Sequence, residues 1–318
     1  MPFSAKVLVT GGAGFIGSNL ADALIRQGCE VGIIDNFVTG SRNNLDEIAG
    51  SFEFFEGDIN DNAALERALN GVEVVFHEAA LPSVPRSVND PAETHLACVD
   101  GTFNLLLKAR DSGVRRLVYA ASSSAYGDQP VLPKVETMAP DPRSPYAAAK
   151  LTGEYYCSVF NNVYGLETIS LRYFNVFGPR QDPSSMYSGV ISRFIDALMS
   201  GETPIIYGDG EQTRDFTYID NVVDANIKAA QTTSGLGQVM NAANGDRVSL
   251  NELLDTLKRI VGRTDAEPRY EPERKGDVKH SQADNRRAVE HLGYKKLVGL
   301  EEGLKSTIDW WQNSRFAA

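Results

Sequence analysis

Apolar and polar positions alternate between two textures along the chain, short β-branched runs and longer amphipathic stretches. The short runs predict strands over Lys6–Thr10, Glu30–Asp35, Phe52–Glu56, Val72–Glu78, Leu117–Ala121 and Glu167–Tyr173. Between them, helical patterns cover Ser18–Gln27, Asn62–Leu69, Thr102–Ser112 and Tyr146–Tyr164. Strands and helices in alternation are what a parallel sheet with crossover helices requires, and nearly continuous apolar strands fit a sheet covered on both faces. After Asn175 the texture changes to loops rich in Gly, Pro and Ser (GPRQDPSS, YGDGEQTRDF), a helical Asn221–Ala230 and a mixed tail. The expected architecture is α/β, a doubly wound parallel sheet with a smaller mixed α/β lobe. Residues 1–174 with about 215–240 are assigned to the sheet domain, and 175–214 with 241–318 to the lobe.

Composition narrows the function. Three cysteines (Cys29, Cys98, Cys157) without a C-x-x-C pair speak against a disulfide framework or zinc module, and point to a reduced, cytoplasmic protein. No apolar run approaches membrane-span length, and the N-terminus runs straight into a motif instead of a signal peptide. With 31 Lys+Arg against 42 Asp+Glu the formal charge is −11, which opposes a nucleic-acid or anionic-membrane partner. The four histidines are scattered without metal-ligand spacing, so no metal is expected.

The first strand leads directly into Gly11-Gly12-Ala13-Gly14-Phe15-Ile16-Gly17 and then a helix. Glycines at a strand-to-helix turn let backbone amides meet a pyrophosphate, which the helix dipole also favours, so Gly11, Gly14, Phe15, Ile16 and Gly17 are assigned to a dinucleotide in a Rossmann-type fold. An ordinary tight turn would carry the same glycines; the rest of the unit raises the motif above that. Asp35 closes the second strand about 20 residues later, where a carboxylate bonds both ribose hydroxyls and disfavours a 2′-phosphate. NAD is therefore expected over NADP, although Arg42 nearby is a candidate partner for the extra phosphate. Asp58-Ile59 stands where a side chain meets the adenine, or else Asp58 is a turn or N-cap residue.

Tyr146 and Lys150 lie at i, i+4 on one face of a helix opened by Pro145. A nearby ammonium and a charged nicotinamide favour the phenolate, so Tyr146 can exchange a proton with a substrate hydroxyl. The strand Leu117–Ala121 delivers Ser122-Ser123-Ser124 to the carboxyl edge of the sheet, where open α/β sheets bind ligands. Either feature alone would read as a solvated helix face or a plain loop; the two together, behind a dinucleotide turn, point to catalysis.

The chain resembles the extended short-chain dehydrogenase/reductase family, and within it the nucleotide-sugar 4-epimerases of the UDP-galactose and UDP-N-acetylglucosamine type. The resemblance runs nearly end to end, through the glycine turn, Asp35, His77–Ala80, the serine run, Tyr146 and Lys150, Arg172-Tyr173-Phe174-Asn175, Arg214-Asp215-Phe216 and Arg274-Lys275-Gly276-Asp277. It implies a retained NAD that takes a hydride from sugar C4 and returns it to the other face of a transient 4-keto sugar. By position Ser122 matches the catalytic hydroxyl, with Ser124 second and Ser123 facing the sugar. Lys150 would hold the nicotinamide ribose, and Asn36, Ala80 and Tyr173 join the cofactor residues. Arg214 and Arg274 match the arginines on the nucleotide diphosphate, while Asn175, Gln181 and Asp277 join the substrate residues. A homodimer is the family's expectation.

The same scaffold serves 4,6-dehydration and C6 decarboxylation, so the site must select the reaction. Related dehydratases carry an Asp-Glu pair where this chain has Ser123-Ser124, and the decarboxylases' glutamate is absent too, which leaves 4-epimerisation. In the family a tyrosine at the place of Ser281 restricts the sugar pocket, so this small residue, with Ser123, Asn175 and Gln181, resembles the subgroup for N-acetylated sugars or their uronic acids and implies UDP-N-acetylglucosamine/UDP-N-acetylgalactosamine, ahead of UDP-glucose/UDP-galactose or a UDP-uronic acid. Two departures temper the resemblance: Cys98 replaces an asparagine that touches the cofactor, and Pro82 replaces a glycine of the N-acetyl subgroup. A non-catalytic NAD-binding regulator is the alternative of a different class, disfavoured because Tyr146 and Lys150 are both kept.

Overall fold

Seven parallel strands form the central sheet of the computed structural model, which describes residues 3–182, 189–273 and 278–316. The first six are β1 (Lys6–Thr10), β2 (Glu30–Asp35), β3 (Glu53–Glu56), β4 (Val74–His77), β5 (Arg116–Ser122) and β6 (Glu167–Tyr173), and the seventh is Val239–Ala242. They lie in the order β3-β2-β1-β4-β5-β6 followed by Val239–Ala242, every neighbouring pair parallel. The expected Rossmann-type doubly wound sheet is present. Its strand order reverses between β1 and β4, and that crevice is where such sheets take ligands.

Alternation along the strands sends side chains to two cores. Val7, Val9, Val74, Phe76, Val118 and Ile169 join one cluster, with Leu20, Ala21 and Leu24 of the helix Phe15–Arg26 and Val222, Val223 and Ile227 of the helix Ile219–Gln231. Leu8, Ile34, Val75, Leu117 and Tyr119 join the other, under the helices Asn62–Ala68, Gly101–Asp111 and Pro145–Tyr164. Both faces are covered, which is why these strands read as nearly unbroken apolar runs.

Most boundaries fall within two residues of those predicted. The first helix starts earlier, at Phe15 instead of Ser18, because Gly17 is packed inside its first turn; a Cβ there would stand 2.3 Å from the Gly11 carbonyl oxygen. The tail read as mixed contains the helices Leu250–Val261, Arg286–Leu292 and Leu300–Phe316. The first of these opens on a capping box, Ser249 with Glu252, a signal present in the sequence as Ser-x-x-Glu. The second half also forms short strand pairs: Val176–Phe177 with Thr217–Tyr218, Thr213–Arg214 with Val248–Ser249, and Ile205–Tyr207 with Arg269–Glu271.

One ion pair clamps the long helix Pro145–Tyr164 to the sheet. Arg172 on β6 donates through Nε and Nη2 to the two oxygens of Glu154, at 2.8 and 2.7 Å, and its guanidinium lies over the Tyr126 ring at 4.5 Å. Both side chains are buried, at 3% and 5% exposure. Removing one partner strands the other charge in the interior, at a cost of about 3–5 kcal/mol. Glu154→Gln is therefore expected to lose on the order of that much unfolding free energy, measured by chemical denaturation.

Candidate active site

At the glycine turn, β1 ends at Thr10 and Gly11 takes a positive φ of 69°, while its amide donates to the Ile34 carbonyl at 2.8 Å. A Cβ on Gly11 would lie 2.7 Å from Ala79, so the turn packs directly against the segment that leaves β4. The following helix has Gly14 at its N-cap and no side-chain cap, which leaves the amides of its first turn without a side-chain acceptor. That arrangement fits a pyrophosphate. Asp35 is buried at the end of β2, and its carboxylate accepts from the amides of Ala13 at 2.9 Å and Phe37 at 2.7 Å. Burial raises its pKa against the pull of those amides. Asn36 Nδ2 donates to Asp58 at 2.7 Å, and Asp58 also accepts from the Asn60 amide at 2.7 Å, so Asp58 is a turn residue that also holds the Asn36 side chain. Arg42 is engaged by Glu56 at 2.7 Å and stacks over Phe37.

Tyr146 and Lys150 are carried by the helix Pro145–Tyr164, started by Pro145 at its first position and by Ser144, whose hydroxyl accepts from the Ala147 amide at 3.1 Å. Lys150 is 3% exposed; its Nζ donates to the Ala120 carbonyl on β5 at 2.8 Å and lies 5.0 Å from the Tyr119 ring centre. Burial pulls the Lys150 ammonium below its ordinary pKa, opposed by Cys98 and Glu78 and then by Cys157 and Glu154. Burial pushes the Tyr146 phenol well above its usual range, while a hydrogen bond with the Ser122 side chain pulls the other way. Ser122 ends β5 and caps a single 3-10 turn, Ser123–Tyr126; its Oγ accepts from the Ser124 amide at 3.2 Å and pairs with Ser124 Oγ at 2.8 Å. Register places Ser122 beside Tyr173 of β6. The structure thus joins Ser122, Ser124, Tyr146 and Lys150 at the carboxyl edge of the sheet. Cys98 is buried with Leu81 and Ala149 and sits within a π-helical turn, Leu96–Asp100, whereas Pro82 is exposed.

Beyond β6 the chain enters a cleft lined by Asn175, Gln181, Arg193, Tyr207, Gln212 and Arg214 among others. Three predicted substrate residues, Asn175, Gln181 and Arg214, are therefore together. Ser281 adjoins them: its Oγ lies 3.4 Å from both Asn175 Nδ2 and the Asp215 amide. The segment bearing Ser281 is held through its backbone, by Ser281 N to Thr213 O at 3.0 Å, Lys134 N to Gln282 O at 2.7 Å and Asp284 N to Lys134 O at 2.9 Å. Arg274 and Asp277 lie outside the described residues. Among the described residues no His, Cys, Asp and Glu cluster could hold a metal.

Sequence reasoning assigned no role to two residues that organise the site. Asp215 is fully buried and accepts from the amides of Asn244 (3.1 Å), Gly245 (3.0 Å) and Ala283 (3.0 Å), tying together three segments around the cleft. Burial pushes its carboxyl up to about 7 against those amides. Glu78, just past β4, accepts from Tyr173 Oη at 2.8 Å, and burial raises it to about 7 as well. Both stand in stretches quoted above as Arg214-Asp215-Phe216 and His77–Ala80, and for Glu78 a carboxylate directly after the apolar run Val74–Phe76 was the available signal.

Comparison with known proteins agrees with this geometry. Residues 7–243 match the model of the NAD dependent epimerase/dehydratase family. The chain is 42% identical over 313 residues to a UDP-glucose 4-epimerase of Mycolicibacterium smegmatis, covering 97% of this chain and 99% of that one. It superposes on the UDP-N-acetylglucosamine 4-epimerase of Methanobrevibacter ruminantium, solved with UDP-N-acetylmuramic acid, with a TM-score of 0.93 and 39% identity over 98% and 99% of the two chains. For the UDP-glucose 4-epimerase of Thermotoga maritima, solved with UDP-glucose, the values are 0.92 and 42% over 98% and 99%. A dinucleotide turn with an uncapped helix, a Tyr-Lys pair beside a serine hydroxyl and an end-to-end match lead to one conclusion: the chain belongs to the NAD dependent epimerase/dehydratase family.

Proposed function

We propose that this enzyme inverts C4 of a UDP-sugar through a transient 4-keto intermediate, and that its substrate pair is UDP-N-acetylglucosamine/UDP-N-acetylgalactosamine. NAD, when bound, supplies the acceptor and then the donor of the C4 hydride. The chain's own residues do the rest. Tyr146 accepts the proton of the sugar O4 and gives it back, with Ser122 sharing the hydrogen bond and the Lys150 charge stabilising the phenolate. Arg214 offers forked donors to the diphosphate, and Asn175 and Gln181 extend the same wall. Ser123 and Ser124 supply no carboxylic acid or base for elimination or decarboxylation.

The observation that carries the choice of sugar is Ser281, a small side chain whose hydroxyl lies 3.4 Å from the Nδ2 of the cleft residue Asn175 and 3.4 Å from the Asp215 amide. The identity to two UDP-glucose 4-epimerases favours the plain hexose as the second reading. A homodimer is supported by an apolar row on the outer face of the long helix, Tyr155, Val159 and Val163, spaced four apart and 58%, 46% and 66% exposed, with Leu96 and Phe103 also exposed. Among the described residues no helix is long and apolar enough to cross a membrane.

A proton NMR time course with UDP-N-acetylglucosamine and, separately, UDP-glucose, without added NAD, should show the anomeric signal of the C4 epimer from the acetylated sugar. Ser281→Tyr should abolish that conversion and keep conversion of the plain hexose, while Tyr146→Phe should reduce both by about 10²-fold or more. Turnover of UDP-glucose alone would refute the reading of Ser281, and undiminished turnover by the phenylalanine variant would refute the base. Sedimentation should give a dimer for the native chain and a monomer for Val159→Glu.

A further inference from the structure

One wall of the cleft hangs on a turn whose backbone does not hold its shape unaided. Gly178-Pro179-Arg180-Gln181 follows the short strand Val176–Phe177, and its last residue lines the cleft. Arg180 sits at φ 67°, in the left-handed region that a residue with a Cβ disfavours. Such a conformation persists only where its surroundings over-determine it. Gly178 is one such constraint, because a Cβ there would stand 2.5 Å from the Ile219 side chain.

The other constraints come from the helix Phe15–Arg26, which opens on the dinucleotide turn. Arg180 is 8% exposed, and its Nη1 donates to the Ser18 carbonyl of that helix at 3.0 Å. Its Nη2 donates to the Glu47 carbonyl at 2.8 Å and pairs with Asp22 at 3.4 Å, while Nε reaches the Glu47 carboxylate at 3.2 Å. Asn19 adds a second tie: its Nδ2 donates both to the Phe15 carbonyl at 2.8 Å, inside the first helical turn, and to the Pro179 carbonyl at 3.0 Å. Across the turn, Gln181 Nε2 donates to the Val176 carbonyl at 3.2 Å, and Gln181 Oε1 accepts from Ser192 Oγ at 3.1 Å. Ser192 belongs to the helix Val190–Ser200, whose Val190, Ile191 and Arg193 also line the cleft.

We propose that Arg180 is a positioning residue of the substrate cleft: its guanidinium holds the turn left-handed against the cofactor-side helix, and the turn in that shape delivers Gln181 to the wall. It acts through Gln181 and, beyond it, Ser192. A planar fork is suited to this task, since two carbonyls and two carboxylates are served at once from one buried side chain. The proposal deepens the epimerase reading and rests on this cleft being where the UDP-sugar lies. Loss of the guanidinium does not strand its acidic partners. Asp22 keeps Arg26 at 2.7 Å and the Ala49 amide at 3.1 Å, and Glu47, 37% exposed, keeps the Trp310 indole at 2.9 Å, so variants at 180 are expected to fold.

The test compares Arg180→Ala with Arg180→Gly in the full-length, NAD-loaded protein. Both variants lose the same hydrogen bonds and ion pairs, so their melting temperatures should fall alike. They differ in the backbone: alanine leaves the left-handed region once the clamp is gone, whereas glycine occupies it without strain. Calorimetric titration with UDP-N-acetylglucosamine and with UDP-glucose should therefore show Arg180→Ala weakened about tenfold, the factor that restoring one left-handed residue corresponds to. Arg180→Gly should stay within about threefold of the native protein, because no such strain has to be restored. Amide exchange of residues 176–181 without ligand should be faster in the alanine variant than in the glycine variant. Equal affinities and equal exchange in the two variants overturn the proposal, since a guanidinium that only stabilises the fold costs both alike. An alanine variant that binds as tightly as the native protein overturns it too. If the native protein binds neither UDP-sugar, the proposed reaction fails, and the ligand-free exchange comparison alone decides whether Arg180 holds the turn.

Discussion

A cation is buried in the wall between a β-sheet and the helix that covers it, and much of the site is arranged around keeping it there. Lys150 has one backbone carbonyl as direct partner, and its surroundings oppose its charge by desolvation. Taking an ammonium out of water is costly unless polar partners compensate it, and the Ala120 carbonyl and the Tyr119 ring face are the partners the fold provides. One turn along the same helix, Glu154 gives both of its oxygens to Arg172 and so locks the helix that carries Lys150 to β6.

The site is assembled from two kinds of scaffold. At the edge of the sheet, side chains sit on strand ends and a long helix, where register fixes Ser122 beside Tyr173. In the cleft beyond, the positions depend on loops, and loops need an anchor. Asp215 provides it by collecting amides from two separate stretches of chain, Asn244-Gly245 and Ala283. The hydroxyl of Ser281 and the amide of Asn175 then meet over a backbone already in place.

What could be read from the sequence was what is local. The glycine turn, the Asp35 that ends the next strand and the i, i+4 spacing of Tyr146 and Lys150 each lie within one βα unit or one helix, so spacing alone located them. The sheet was legible for the same reason, since its strands are buried on both faces and read as apolar runs. The start of the first helix was misplaced because Gly17 reads as loop, and only the close approach to Gly11 explains a glycine inside a helical turn. Glu78 and Asp215 stayed without a role because their partners are remote. Tyr173 is 95 residues from Glu78, and Ala283 is 68 from Asp215. No periodicity reports a contact of that length.

The segment around residue 281 is pinned by main-chain bonds to Thr213 and Lys134, and its side chain bears almost none of the load. Such a position is an exchangeable part. On the proposed reading a lineage can replace it, and with it the sugar that is admitted, while the Asp215 anchor and the strand ends remain untouched. A backbone held this way decouples the fold of the segment from the identity of its side chain, and end-to-end similarity to enzymes named for different UDP-sugars is compatible with that freedom.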